Sequence, residues 1–396
     1  MKKENLLMAF SDIGVVSSIW KAIPELAQDF NLKIYAKDTL AYKKLSECFS
    51  PEELKKYNII PYKQMPIIDA YKIVRNENPA AVITGLSNAH KKTKSGSGMQ
   101  QQEYKADFAF ADAASRLKKI NIGISEAAYL SPYLIRYRLN SSRRGPETMI
   151  VASHQMKKFL KDTGLIAMNK IHVLPMPRYE EASDIKNSPR LEEVRNRLYT
   201  LNNVQSGDFC IVYSSSCSPK TDLEAAKLLN NSIKDMPQVK VLFAFHPKDS
   251  AETRQALLAA VSGSREFDKG GENPLLAYTA MGKGTRRLIA GVRTSVLFDA
   301  VLTGSNVISL NPRHEKSMRS PTAELGLAPE ISDIGNLKKT ITDISSGIFP
   351  QNSLSIPQTY KGENAARKFA RGLAKIIEEE SSPARHIVNI NAVGRE

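Results

Sequence analysis

Short apolar, β-branched runs alternate with helix-patterned segments along most of this chain, and that alternation limits its fold more than any other feature. Residues 6–10 read as a strand, followed by the polar turn Ser11-Asp12-Ile13-Gly14 and a helix carrying Trp20, Ile23, Leu26 and Phe30. Further strands are expected at 33–36, 79–84 (with a turn at Gly85), 120–124, 148–152 and 171–174, with helices at 107–117 and 155–162. Pro175-Met176-Pro177 then interrupts regular structure. The polar stretch from about 180 to 207 reads as one helix and a turn, and it marks a domain boundary. Beyond it the alternation restarts, with strands at 209–213, 240–245, 288–290 and 306–310 and helices at 222–233, 295–302 and 364–380. Such a pattern predicts parallel sheets covered by helices. A length of 396 residues is long for one core and comfortable for two. The expected fold class is α/β, two Rossmann-like domains facing each other across a cleft, with domains at 1–180 and 181–380 and a polar tail at 381–396.

The formal charge of +15 calls for an anionic partner or a solvated basic surface. Its lysines and arginines are scattered, as in Lys118-Lys119 and Arg286-Arg287, and no RNP, KH, zinc-finger or basic-zipper pattern accompanies them. Nucleic acid is therefore not an expected partner. An anionic membrane surface fits better, through Lys91, Lys92, Lys94, Arg136, Arg138, Arg143 and Arg144. The segment 129–144 mixes aromatic, leucine and arginine residues, as an interfacial helix does and as a helix packed on its own domain also does. The apolar run at 6–10 is too short for a signal peptide, and no run of about 18 apolar residues follows. Cys48, Cys210 and Cys217 have no CxxC spacing, which fits a reducing compartment. The expected location is cytoplasmic, with peripheral contact at the inner membrane.

The turn Gly291-Val-Arg-Thr-Ser295 opens the helix 295–302, and a helix start presents N–H groups suited to an anion. Thr294 and Ser295 add hydroxyls, Arg293 a charge fit for phosphate, and Asp299 a carboxylate placed to accept ribose hydroxyls. An ordinary N-cap on a small-residue turn accounts for the same residues without a ligand. His246-Pro247-Lys248 ends a strand at the edge where open α/β sheets bind ligands. Ser214-Ser215-Ser216 follows the first strand of the second half, allowing close backbone approach but also matching ordinary turn composition. Lys220 reads either as a phosphate partner or as a solvated lysine.

These residues resemble a known group. The Gly/Ser turn, the acidic residue before Ala300, Gly304 and the following Val-Ile strand are similar to those of GT-B nucleotide-sugar enzymes, including the UDP-N-acetylglucosamine 2-epimerase relatives. The resemblance implies that Thr294 and Ser295 meet the nucleotide diphosphate and Asp299 the ribose, and that the small-residue loop at Ser214 and Ser215 lies against the phosphates or the sugar. Thr-Ser stands here where many members have Gly-Gly, and Asp where Glu is usual. His246-Pro247 resembles the pair in bacterial sialyltransferase and teichoic-acid polymerase families, where the histidine meets nucleotide phosphate. The acidic motif of those enzymes is not found.

In the first half, Asp12 occupies the loop that the resemblance turns toward the acceptor, and a carboxylate there suits a general base. An N-cap for the next helix is the plain alternative. Glu126, after Ser125, is the rival base, while Gly85-Leu-Ser-Asn88 ends another strand on the same side; His90 and His154 are weaker candidates. The run 91–98 lacks P-loop order. No HExxH, GxSxG or EF-hand pattern occurs, so neither a metal nor a cofactor beyond the nucleotide-sugar substrate is expected. The expected activity is metal-independent transfer of a sugar from a UDP- or CMP-type donor to a glycan or lipid-linked acceptor, in surface polysaccharide or glycoconjugate biosynthesis. The alternatives are a nucleotide-sugar epimerase or hydrolase, and a noncatalytic nucleotide-sugar-binding protein.

Overall fold

Strands that are apolar on both sides need cover on both faces, which favours parallel sheets between helical layers. A computed structural model describes residues 3–86, 90–92, 102–104, 106–125, 146–152, 154–164, 166–216, 218–247, 249–315, 319–324, 326–349 and 364–382. Its strands in chain order are β1 (Glu4–Phe10), β2 (Phe30–Lys37), β3 (Ile59–Tyr62), β4 (Ala81–Thr84), β5 (His90–Lys92), β6 (Gln102–Tyr104), β7 (Ile120–Ile124), β8 (Thr148–Val151) and β9 (Ile171–Val173). Then follow β10 (Phe209–Ser214), β11 (Val239–Ala244), β12 (Arg265–Glu266), β13 (Arg287–Gly291), β14 (Val307–Leu310) and β15 (Glu330–Ile331). The chain divides into two compact units, one of Met1–Glu180 with Thr359–Glu396 and one of Glu181–Gln358.

The first unit holds a seven-stranded sheet in the order β3-β2-β1-β4-β7-β8-β9, with every pairing parallel. The strands wind outward from β1 to β3 and then resume on its other side at β4, so the order reverses between β1 and β4. Leu7, Ala9 and Val82 pack on one face against Ala106, Ala109, Phe110 and Ala113 of the helix Ala106–Arg116. β5 and β6 form a separate antiparallel pair.

The second unit repeats the logic with six parallel strands, β12-β11-β10-β13-β14-β15, reversing between β10 and β13. β10 is buried along its whole length. Alternation sends Phe209, Ile211 and Tyr213 into one core and Cys210 and Val212 into the other. The helix Ser295–Leu302 has the bounds expected of it.

Three expectations need correction. The C-terminal helix, Ala365–Ser381, belongs to the first unit and not to a domain ending at 380. Its buried stripe of Ala365, Phe369, Leu373, Ile376 and Ile377 was legible, but periodicity does not name the surface it covers. Gly372 lies against Leu174, and Ala365 N–H donates to Glu180, both partners in the first unit. Phe30 starts β2 and is not part of the preceding helix. Pro177 begins the helix Pro177–Lys186, since its missing N–H costs nothing at a first helical position. The polar stretch thus holds that helix and a second one, Leu191–Leu201. No described helix is long and apolar enough to cross a membrane.

Candidate functional site

The strand register of the second unit sets Ser214 level with Ala244 on one side and Gly291 on the other. The residues just beyond these strand ends therefore emerge at one edge, where β10 and β13 part company. Open α/β sheets bind ligands at such a reversal. Gly291 is a glycine for a steric reason: a Cβ there would lie 2.8 Å from the Ser214 carbonyl oxygen and 2.8 Å from Thr294 Cγ2.

The candidate residues fall into two groups. Ser214, Ser215 and Thr294 are buried, with hydroxyls engaged inside the protein. Ser214 Oγ lies 3.2 Å from Thr294 Oγ1 and also bonds the Tyr278 hydroxyl. Thr294 caps the helix Ser295–Leu302 by accepting from the Val296 N–H at 3.4 Å, so the plain capping role is realised there. Ser215 donates to Asp249 Oδ2 at 2.5 Å and accepts the His246 N–H at 2.7 Å. The same Asp249 oxygen accepts from the His246 N–H at 2.9 Å, which fixes the backbone at the end of β11. Arg293 and Ser295 are exposed; His246, just beyond β11, and Asp299, within the helix Ser295–Leu302, are half-buried. Lys220 is exposed, and Lys248 lies outside the described residues.

Two helix starts flank this reversal, and the structure distinguishes them. At the helix Pro219–Ile233, the Asp222 carboxylate accepts the Ser216 N–H at 3.0 and 3.1 Å, the Ser218 N–H at 3.2 Å, the Ser216 hydroxyl at 3.1 Å and the Tyr213 hydroxyl at 2.8 Å. An internal carboxylate thus fills the anion cradle behind the serine loop. Burial pushes the Asp222 carboxyl above the usual carboxylate range, against the hydrogen bonds donated by Tyr213, Ser216 and Ser218. At the helix Ser295–Leu302 the first turn holds no acidic residue. Thr294 takes the Val296 N–H on its hydroxyl and the Leu297 N–H on its carbonyl oxygen, and the exposed Arg293 precedes the positive dipole end. Of these two starts, the second is the one without a carboxylate in its first turn.

Sequence reasoning missed Asp222, Asp249, Tyr278 and Glu324. Burial pushes the Tyr278 hydroxyl up to about 12; the Ser214 hydrogen bond opposes the shift and the Asp299 charge adds to it. Glu324 is raised by burial, opposed by Arg319 and by Arg293. An acidic residue in the first helical turn was the available signal for Asp222; the others are brought in by packing that no local pattern records.

In the first unit the register places Ala9 beside Thr84 and Thr84 beside Gly123, so Asp12, Gly85 and Ser125 follow neighbouring strand ends. Asp12 occupies the N-cap position of the helix Ile13–Ile19 without a side-chain cap bond, so the capping alternative is not realised. A Cβ on Gly85 would meet Asp107 Oδ2 and Val15 Cγ2, each at 2.8 Å. Glu126 and the residues 87–89, 93–101 and 126–145 lie outside the described residues, as therefore do Lys94, Arg136, Arg138, Arg143 and Arg144. His154 is exposed. Among the described residues, no group of three or more His, Cys, Asp and Glu side chains is placed to hold a metal ion.

Two parallel-sheet units, each with its strand order reversed beside the central strand, define a two-domain α/β fold of the GT-B kind. The chain is similar in structure to a UDP-N-acetylglucosamine 2-epimerase from Rickettsia bellii (TM-score 0.61, 13% identity, 96% of this chain and 98% of that one). It is also similar to the UDP-GlcNAc 2-epimerase from Neisseria meningitidis bound to UDP-GlcNAc (TM-score 0.57, 13% identity, 95% and 100% covered). A glycosyltransferase from Rickettsia africae matches at TM-score 0.55 and 14% identity, with 96% and 99% covered. No protein-family model matches the chain, and no curated protein matches it in sequence.

Proposed function

We propose that the protein is a glycosyltransferase that holds a nucleotide-activated sugar on its second unit and passes the sugar to an acceptor hydroxyl. The observation that supports this reading is the second unit's strand reversal, where His246 follows β11 and Arg293 and Ser295 follow β13 at a helix start without a first-turn carboxylate, while Asp222 fills the start of the helix Pro219–Ile233. Arg293 and the start of the helix at Ser295 bind the phosphate, His246 and Lys248 add to its charge balance, and Asp299 takes the ribose. Ser214, Ser215 and Thr294 build the wall behind it. Asp12 or Glu126 removes the acceptor proton as the acceptor oxygen bonds to the anomeric carbon. The bond from that carbon to the phosphate oxygen breaks, and its electron pair leaves on the phosphate, stabilised by Arg293 and the helix start.

A second reading, a nucleotide-sugar epimerase or hydrolase, draws on the UDP-GlcNAc 2-epimerases among the structures this chain resembles. Incubation with a panel of UDP- and CMP-sugars, with and without glycan or lipid-linked acceptors, separates the two. Acceptor-dependent nucleotide release supports transfer. Release or sugar inversion in water alone supports the second reading, and binding without turnover leaves a nucleotide-sugar-binding protein.

A further inference from the structure

The first unit carries a polar group that the sequence reading did not assemble. Tyr62 ends β3, and its buried hydroxyl lies 2.9 Å from Ser11 Oγ, next to Asp12. The same hydroxyl accepts the backbone N–H of Ala106, the first residue of the helix that carries Asp107. One phenol oxygen therefore ties the loop after β1 to the helix start that follows β4. Both carboxylates lie close enough to act on it: burial raises the Tyr62 hydroxyl above its ordinary range, and the charges of Asp107 and Asp12 raise it further. Asp107 itself is 1% exposed, and its Oδ2 rests where a side chain on residue 85 would have to go. Thr84, on the same face as Val82, adds a buried hydroxyl with no hydrogen-bond partner among the described residues. The group sits at the reversal of this unit's sheet, between the ends of β1 and β4.

We infer that Tyr62 is the positioning residue for proton transfer in the first unit, fixing Asp12 through Ser11 and bringing Asp107 into the same acid–base group. This rests on the proposed function and deepens it. A carboxylate loose by even an ångström loses much of its power as a base, and the phenol that would hold it is itself buried. Tyr62→Phe removes a single oxygen from a buried ring and tests the role directly. With a UDP-sugar that the parent turns over, kcat should fall about 10–100-fold while KM changes less than about threefold. The acidic limb of the pH profile should move, and stabilisation by UDP should stay as in the parent. Asp107→Asn should reproduce the pH-profile shift. Should Tyr62→Phe fail to fold, Ser11→Ala, which cuts the same link from its other end, should show the same split. An unchanged kcat and pH profile in the folded variants overturns the inference alone. A parent without nucleotide-sugar turnover removes the proposed function, and this inference with it.

Discussion

Replacing Asp222 by alanine removes the acceptor for four donors at once. The Tyr213 hydroxyl is fully buried and loses its partner, at about 1–3 kcal/mol for a stranded donor. The Ser216 N–H and hydroxyl and the Ser218 N–H are less enclosed, and each bond contributes about 0.5–1.5 kcal/mol net, part of which water restores. Against this, the variant no longer carries a carboxylate whose ionisation burial opposes. The balance is a loss of about 3 kcal/mol. Urea unfolding followed by circular dichroism measures it, with fluorescence of Trp20, the single tryptophan, as a probe of the other unit. The sign with pH also follows. Asp222 binds its proton more tightly when folded than at its ordinary value of 3.8, so its contribution to stability falls as pH rises through the window between the two. The deficit of Asp222→Asn relative to the parent should therefore grow as pH falls through that window. A loss below about 1 kcal/mol for Asp222→Ala refutes the idea that this side chain holds the serine loop, whereas a deficit of Asp222→Asn that shrinks with falling pH refutes the upward shift of the carboxyl.

Other outcomes follow from the same geometry. Arg293→Ala and Ser295→Ala should weaken nucleotide binding by about 10-fold or more, read by calorimetry, because a charge-assisted phosphate contact is worth about 1.5–3 kcal/mol. Asp12→Asn or Glu126→Gln should lower turnover and leave nucleotide affinity largely intact, since a base acts chiefly in the transition state; full turnover in both variants removes the catalytic assignment to the first unit. Basic residues of the first half should draw the protein to anionic vesicles at low salt and release it near 1 M, where the Debye length falls to about 3 Å. Equal partitioning onto neutral vesicles, or none onto either, leaves the charge without a membrane role.

The strands β1, β10 and β13 and the helix Ser295–Leu302 were legible because burial on two faces leaves continuous apolar runs, and because a glycine-hydroxyl turn precedes the helix. The helix Pro274–Gly282 was not legible. It is apolar nearly all round and buried between neighbours, so no periodicity marks it. The loop at Ser214 and Ser215 read equally as a phosphate-side loop and as an ordinary turn, because composition shows a hydroxyl but not its partner. Asp249 and Tyr278, distant in sequence, decide what those hydroxyls do. Tyr62 and Asp107 were invisible for the same reason, being joined only when β3 and the helix Ala106–Arg116 pack around the end of β1.

The central claim is a nucleotide site on the second unit, and a thermal-shift series with UDP, CMP, GDP and ADP tests it most directly. A ligand that binds only the folded state at a hundredfold excess over its Kd adds about 2.7 kcal/mol. For a unit spanning Glu181–Gln358 that is a rise in Tm of roughly 5–10 °C. UDP or CMP should produce it in the parent, and Arg293→Ala combined with Ser295→Ala should abolish most of it. No shift with any of the four at millimolar concentration, or a shift that survives the double variant unchanged, contradicts the claim.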